Sequence, residues 1–316
     1  MKNSAKYLTK TPVVFAAALI CNLLWGSAFS VIKIGYKMFE IAEGDSFAQL
    51  LFAGCRFTLS GLLALVPLCV RERKIILPRH SDMPSIVKLG LVQTVAQYLF
   101  FYIGLARTTG IKASIIDASN VFLAILMSCF VFRTEKLTVR KVICCVLGFG
   151  GVILINLTGS GAEFGFDMTL GGEGALLASA VAYALSSNLI KRYSKTADPV
   201  MLSGCQFVFG GLALIAVGLL GGGRITVSSP AALAVLLYLS ILSATAYSLW
   251  GILLKYNPVG KVVIYGFLSP IFGVLLSAAL LGEGRTLGLR GVLALALVSV
   301  GIFLGNINNE KTHKNL

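Results

Sequence analysis

Gly54-Cys55-Arg56-Phe57 returns about 150 residues later as Gly204-Cys205-Gln206-Phe207, and the reading of this pair decides the fold. The same offset carries Gly61-Leu62 to Gly211-Leu212, and Arg140, Gly151 and Asn156 to Arg290, Gly301 and Asn306. The second half of the chain therefore repeats the first, with both copies of the motif inside long apolar runs. If each half crosses a bilayer an odd number of times, the halves are inverted copies. Inverted repeats place a binding site between two bundles that can rock against each other.

Composition says what surrounds these runs. Of 316 residues 57% are hydrophobic and 13% charged, and the mean hydropathy is +0.87. Soluble domains carry about 25% charged residues. A bilayer removes the exposure this surplus would force, so one polytopic membrane domain is expected, with lipid as its surroundings. The net charge of +14 is explained by basic loops held in the cytoplasm and requires no nucleic-acid partner. The seven cysteines all lie in apolar runs without a CxxC or Cys/His cluster, so neither a disulfide framework nor a metal site is expected. The first apolar run exceeds a signal-peptide core and reads as a retained first helix.

A span needs about 20 apolar residues. Ten runs qualify: 12–34, 47–70, 84–105, 111–132, 139–157, 171–190, 199–220, 230–252, 260–281 and 288–307. The expected fold is all-α and integral to the membrane, with ten transmembrane helices forming two five-helix repeats, residues 1–157 and 158–316, around a central cavity. With a cytoplasmic N-terminus, eighteen Lys and Arg fall in inner segments and six in outer ones. This bias places both termini in the cytoplasm of a cell or inner membrane. The even span count agrees, and five spans per half makes the repeat inverted. The outer segments hold Glu40, Glu43, Asp45, Glu163, Asp167 and Glu173, to which no role is assigned.

Ionisable groups at bilayer depth are functional candidates because their desolvation is expensive. Arg56 lies roughly 15 Å into the second span, at 1.5 Å per residue. It either meets a substrate anion in a wet cavity, or serves as a structural ion pair or carbonyl cap. Asp117, with Asn120 one turn deeper on the same face, has three readings: a pair for Arg56, a ligand for a cationic group, or a carrier of a coupling proton. Lys33 is placed to snorkel to the interface. Neutral polar residues line up at helical spacing: Asn22, Trp25 and Ser30 in span 1; Gln93 and Gln97 beside Tyr98 in span 3; Tyr183 and Ser187 in span 6; Ser240, Ser243, Tyr247 and Trp250 in span 8; Tyr265 and Ser269 in span 9. Each could be interhelical glue worth about 0.6–2 kcal/mol. Together, with Gln206 as the counterpart of Arg56, they outline a shared polar pathway. Gly148, Gly150 and Gly151 in span 5, and Gly301 and Gly305 in span 10, are read as close-packing surfaces within the chain or across a homodimer. Pro270 removes a backbone donor and is expected to break span 9 next to a cavity.

These residues carry a resemblance. Trp25-Gly-Ser-Ala-Phe-Ser-Val-Ile-Lys33, Arg56-Phe57, Gly104-Leu105-Ala106 leading to Lys112 through Glu135, and Ser269-Pro270 followed by Leu281-Gly282-Glu283 and Gly291 resemble, in order and spacing, the signatures of the drug/metabolite transporter superfamily, in its EamA branch. The likeness covers nearly the whole chain. It implies ten helices in two inverted repeats, a central cavity, and export of amino acids, other metabolites or toxic compounds. The chain departs from the pattern at Asn120-Val121-Phe122, where a proline is usual, so the kink is expected in one half only. Asp117 is likewise no part of the general pattern.

The reading that follows is a secondary active transporter, exporting a small polar or zwitterionic metabolite by alternating access, with H+ as the candidate coupling ion. No G-x-x-x-x-G-K-[ST] run is present, and no cofactor is expected. The competing classes are an intramembrane enzyme acting on lipid and a channel or scramblase. An enzyme would need a cluster of catalytic groups, whereas His80 and His313 are the only histidines and lie in a loop and the tail; no catalytic residue is assigned.

Overall fold

The computed structural model describes residues 7–42, 44–74, 76–105, 107, 110–156, 169–281 and 289–306. Glu43, Glu163, Asp167 and Glu283 lie outside these residues. Within them the chain forms ten long helical segments and no strand. They are α1 (Thr11–Met38), α2 (Ser46–Glu72), α3 (Met83–Leu89, π-helical Gly90–Ala96, then Gln97–Leu105), α4 (Gly110–Leu126 with a π-helical end, Met127–Val131), α5 (Val139–Asn156), α6 (Leu170–Gly174, then Ala175–Tyr193), α7 (Pro199–Leu220), α8 (Pro230–Tyr256), α9 (Val259–Val263, the 3₁₀ stretch Ile264–Phe267, then Leu268–Leu281) and α10 (Leu289–Asn306). Each sequence-expected span coincides with one of them to within a few residues.

Local chemistry sets several starts. Asp45 accepts from the Ala48 amide at 2.9 Å and opens α2. Asp198 accepts from the amides of Val200 and Met201 at 2.8 and 3.2 Å, just before Pro199 at the head of α7. These caps satisfy amides that have no partner within the helix. Six of the helices are long and apolar enough to cross a membrane by themselves, and α4, α9 and α10 contribute shorter apolar stretches. Leu62, Val66, Phe130, Val146, Leu212, Leu233 and Phe303 are exposed on their flanks, which suits lipid and would be a liability in water. The molecule is an all-helical, multi-span membrane protein.

The halves meet along two glycine-lined crossings. A Cβ on Gly54 would lie 2.8 Å from the Gly211 carbonyl oxygen, and a Cβ on Gly61 would lie 2.5 Å from that of Gly204. Adding the repeat offset converts the first contact into the second. The crossing of α2 and α7 is therefore antiparallel and self-complementary, as a two-fold relation between the halves requires. Phe57 and Phe207 stack at its centre, 5.0 Å apart with 20° between rings. The α5–α10 crossing repeats the arrangement: Gly151 would place a Cβ 2.8 Å from Ala294 O, and Gly301 would place one 3.2 Å from Cys144 O. These glycines are occupied within the chain. Around the two crossings α1 packs on α8 and α9, and its counterpart α6 packs on α3 and α4. Close van der Waals approach of this kind is what drives helix association in lipid.

One end of the bundle is tied by polar contacts. Glu135, after α4, accepts from the Gly260 amide of α9 at 3.1 Å and bridges Lys141 of α5 at 2.8 Å. Lys191 of α6 donates to Asn257 O at 2.7 Å and to Lys255 O at 3.2 Å. Asn257 donates to Leu8 O and Lys261 to Thr9 O, each at 3.0 Å.

Candidate functional site

Arg56 of α2 is a buried charged side chain, at 4% exposure. Its backbone is held from two sides: Ser60 donates to the Arg56 carbonyl at 2.7 Å, and Ser240 of α8 donates to the same oxygen at 3.2 Å. The guanidinium carbon lies 4.2 Å from the Phe57 ring centroid and 5.7 Å from that of Tyr98. Such contacts are worth about 2 kcal/mol or more when desolvated, so the aromatic faces offset part of the burial. A guanidinium beside aromatic rings keeps N–H donors that suit a planar anion. Nε is buried with no partner.

Aromatic side chains continue from this point across both halves. Phe57 lies 4.5 Å from Tyr98. The Tyr98 hydroxyl of α3 meets that of Tyr247 on α8 at 3.1 Å. Tyr247 packs edge-on against Phe207 at 4.9 Å and against Trp25 at 5.3 Å, and Trp25 meets Trp250 at 5.0 Å. Edge-to-face packing is the favoured geometry of aromatic rings, and it fixes the wall on α1, α3, α7 and α8.

A second pole lies on α4. Asp117 and Asn120 stand one turn apart, both half-buried. Tyr183 of α6 is half-buried. Asn188 of the same helix donates to Ala124 O at 3.1 Å and ties α6 to α4. No ion pair joins Arg56 to Asp117; of the three sequence readings of Asp117, pairing with Arg56 is absent. The repeat offset sets Phe267 and Pro270 against Asp117 and Asn120. In α9 the Pro270 nitrogen cannot donate back to Gly266, and the preceding Ile264–Phe267 tightens to 3₁₀. At the matching place α4 runs on as regular helix. The 3₁₀ stretch is present in one half only, and Asp117 and Asn120 stand at the matching place in the other.

The remaining predicted residues divide into two groups. Asn22, Ser30, Gln93, Gln97, Ser187, Gln206, Ser243 and Trp250 are buried. Asn22 donates to Ala18 O at 2.7 Å, Ser179 donates to the Gln97 carbonyl at 2.8 Å, and Gln206 accepts from Thr94 at 2.7 Å, joining α7 to α3. Unpartnered atoms remain: Asn22 Oδ1, Ser30 Oγ, Gln93 Oε1, Gln97 Oε1, Gln206 Nε2 and the indole N–H groups of Trp25 and Trp250. Buried polar atoms of this kind call for water or ligand. Tyr265, Ser269 and Pro270 stand apart from these. Tyr265 is 1% exposed and packs on Phe15 at 5.9 Å, in the α1–α9 contact; Ser269 and Pro270 are half-buried. Lys33 is exposed.

Sequence reasoning missed Tyr36, Tyr102, Thr94 and the Phe57–Phe207 stack. The Tyr36 hydroxyl is buried without a partner, and its ring packs against the cluster that holds Phe57 and Tyr102. Helical spacing could have found both, since Tyr36 follows Lys33 by three residues and Tyr102 follows Tyr98 by four. Among the described residues no three His, Cys, Asp or Glu side chains gather as metal ligands.

Comparison with known proteins agrees with this architecture. The sequence pattern of the EamA-like transporter family matches residues 13–157 and again residues 170–307. An "uncharacterized transporter" of Archaeoglobus fulgidus is 30% identical over 278 residues, 87% of this chain and 90% of the relative. The "uncharacterized transporter YvbV" of Bacillus subtilis is 28% identical over 302 residues, 93% and 92% of the two chains. The "uncharacterized inner membrane transporter YedA" of Escherichia coli is 26% identical over 312 residues, 92% of each. A crystal structure at 18% identity superposes with a TM-score of 0.77, covering 96% of this chain and 99% of the other.

Proposed function

The chain belongs to the EamA-like transporter family, and from that premise we propose that it is a secondary active transporter exporting a small polar or zwitterionic metabolite by alternating access. The observation that carries the reading is the buried, carboxylate-free Arg56, aligned by aromatic faces within a polar core between the halves. In this reading residues 1–157 and 158–316 are the bundles that rock about the α2–α7 crossing. Arg56 holds a carboxylate, and Asp117 meets a substrate ammonium or carries the proton of H+ coupling. Both termini face the cytoplasm of the inner membrane, as the distribution of Lys and Arg suggests.

Counterflow in proteoliposomes tests this. Protein loaded with an unlabelled amino acid mixture should accumulate a labelled member of it transiently and saturably. Flux that rises linearly with concentration would point to a channel, and chemical conversion of the solute to an enzyme.

A further inference from the structure

The contacts between the halves are of two kinds. An inverted repeat lets the halves trade conformations, so that what one does at the inner end the other does at the outer. A contact between repeat counterparts is its own image under that exchange. Phe57 on Phe207, 5.0 Å apart, is such a contact, and the Gly54–Gly211 and Gly61–Gly204 approaches are images of each other. Contacts of this kind are kept in both states and mark the pivot. A contact between residues that are not counterparts belongs to one state only, and its image belongs to the other.

The polar ties at the end that carries the segment before α1 are of the second kind. Lys261, at the head of α9 and 6% exposed, donates to Thr9 O at 3.0 Å. Buried Asn257 donates to Leu8 O at 3.0 Å, and Glu135 accepts from the Gly260 amide at 3.1 Å. Each joins one half to the other. The offset of 150 residues carries Gly260 back to Gly110, Phe272 to Phe122 and Lys261 to Ile111. An isoleucine side chain has no donor, so the Lys261 tie has no image at the opposite end. There Ser228 donates to Met38 O at 2.6 Å from an exposed position, where water competes for the bond. We propose that Lys261, with Asn257 and Glu135, is a one-sided latch that holds the cytoplasmic end shut, so that the empty transporter rests with that end closed. The latch rests on the transporter reading above and adds the resting state of its cycle. Substrate leaving the cell enters by the latched end, which makes opening at Lys261 the step that admits it.

A cysteine in the core, timed in its reaction from each side, tests this. Ser243 is buried on α8, one turn before Tyr247. Labelling of Ser243→Cys by an impermeant sulfonated thiosulfonate is followed in intact cells and in inverted membrane vesicles. The same protein with Ser243 intact subtracts the seven native cysteines. Lys261→Ile gives the second half the residue of the first, and Lys261→Met keeps the apolar stem without the donor. Both should quicken labelling from the cytoplasmic face about tenfold or more, and leave labelling from outside unchanged or slower. Ser228→Ala, at the opposite end, should not quicken the cytoplasmic reaction. Should neither Lys261 variant fold, Asn257→Ala, which removes the Leu8 tie, carries the same expectation. A cytoplasmic rate that these changes leave unaltered, or a rise of equal size from both faces, would overturn the latch. Saturable counterflow with an unaltered cytoplasmic rate removes the latch and keeps the transporter; a quickened cytoplasmic rate without counterflow of any amino acid removes the transporter reading instead.

Discussion

Replacing Gly61 by alanine tests the central crossing of the two halves. The new Cβ would sit 2.5 Å from the Gly204 carbonyl oxygen and 2.7 Å from the Val208 backbone nitrogen. Both are backbone atoms of α7 and cannot rotate away, so the helices must separate by about half an ångström or more to restore van der Waals contact. Overpacking of this kind costs about 1–3 kcal/mol. Against it stands the gain of roughly 1 kcal/mol when alanine replaces glycine inside a helix. Gly150→Ala is the matched control: it makes the same gain on α5, and nothing lies within 4 Å of its added Cβ. The stability difference between the two variants is therefore the packing penalty alone, ~1–3 kcal/mol, or about 2–12 °C in melting temperature at 2–4 °C per kcal/mol. Thermal unfolding in detergent, followed by the fraction surviving size exclusion, measures it. If Gly61→Ala melts with or above Gly150→Ala, the close approach of α2 and α7 is not what joins the halves.

Arg56→Lys should leave a folded protein that has lost carboxylate-dependent counterflow, because the planar two-donor fork is gone; full transport by Arg56→Gln would assign the arginine a structural role. Glu135→Gln removes a carboxylate bonded to the Gly260 amide and Lys141, and hydrogen bonds to charged groups contribute about 1.5–3 kcal/mol. The variant should melt lower, and an unchanged melting curve would show that this tie adds nothing. For orientation, cysteines placed at the exposed positions Lys195 and Val227 should react oppositely with an impermeant label in sealed cells, Val227→Cys labelled and Lys195→Cys protected; the reverse pattern would turn the molecule over.

Much of the fold was legible in one dimension. Whether a segment enters the bilayer depends on its own transfer free energy, so apolar runs marked every helix, and a constant offset paired the halves. The same logic exposed Arg56 and Asp117, since charge at depth is costly wherever its partners are. Pro270 announced a broken helix because its missing donor is a local fact. The sequence could not say which helix faces meet. Rotation of each helix about its axis, set by the Gly54, Gly61, Gly204 and Gly211 contacts, decided that Phe57 stacks on Phe207, that Thr94 reaches Gln206, and that Tyr36 and Tyr102 join the cluster around Phe57. Burial is a property of one residue and its neighbours in sequence, whereas pairing is a property of two surfaces brought together by packing, and only the tertiary structure contains both.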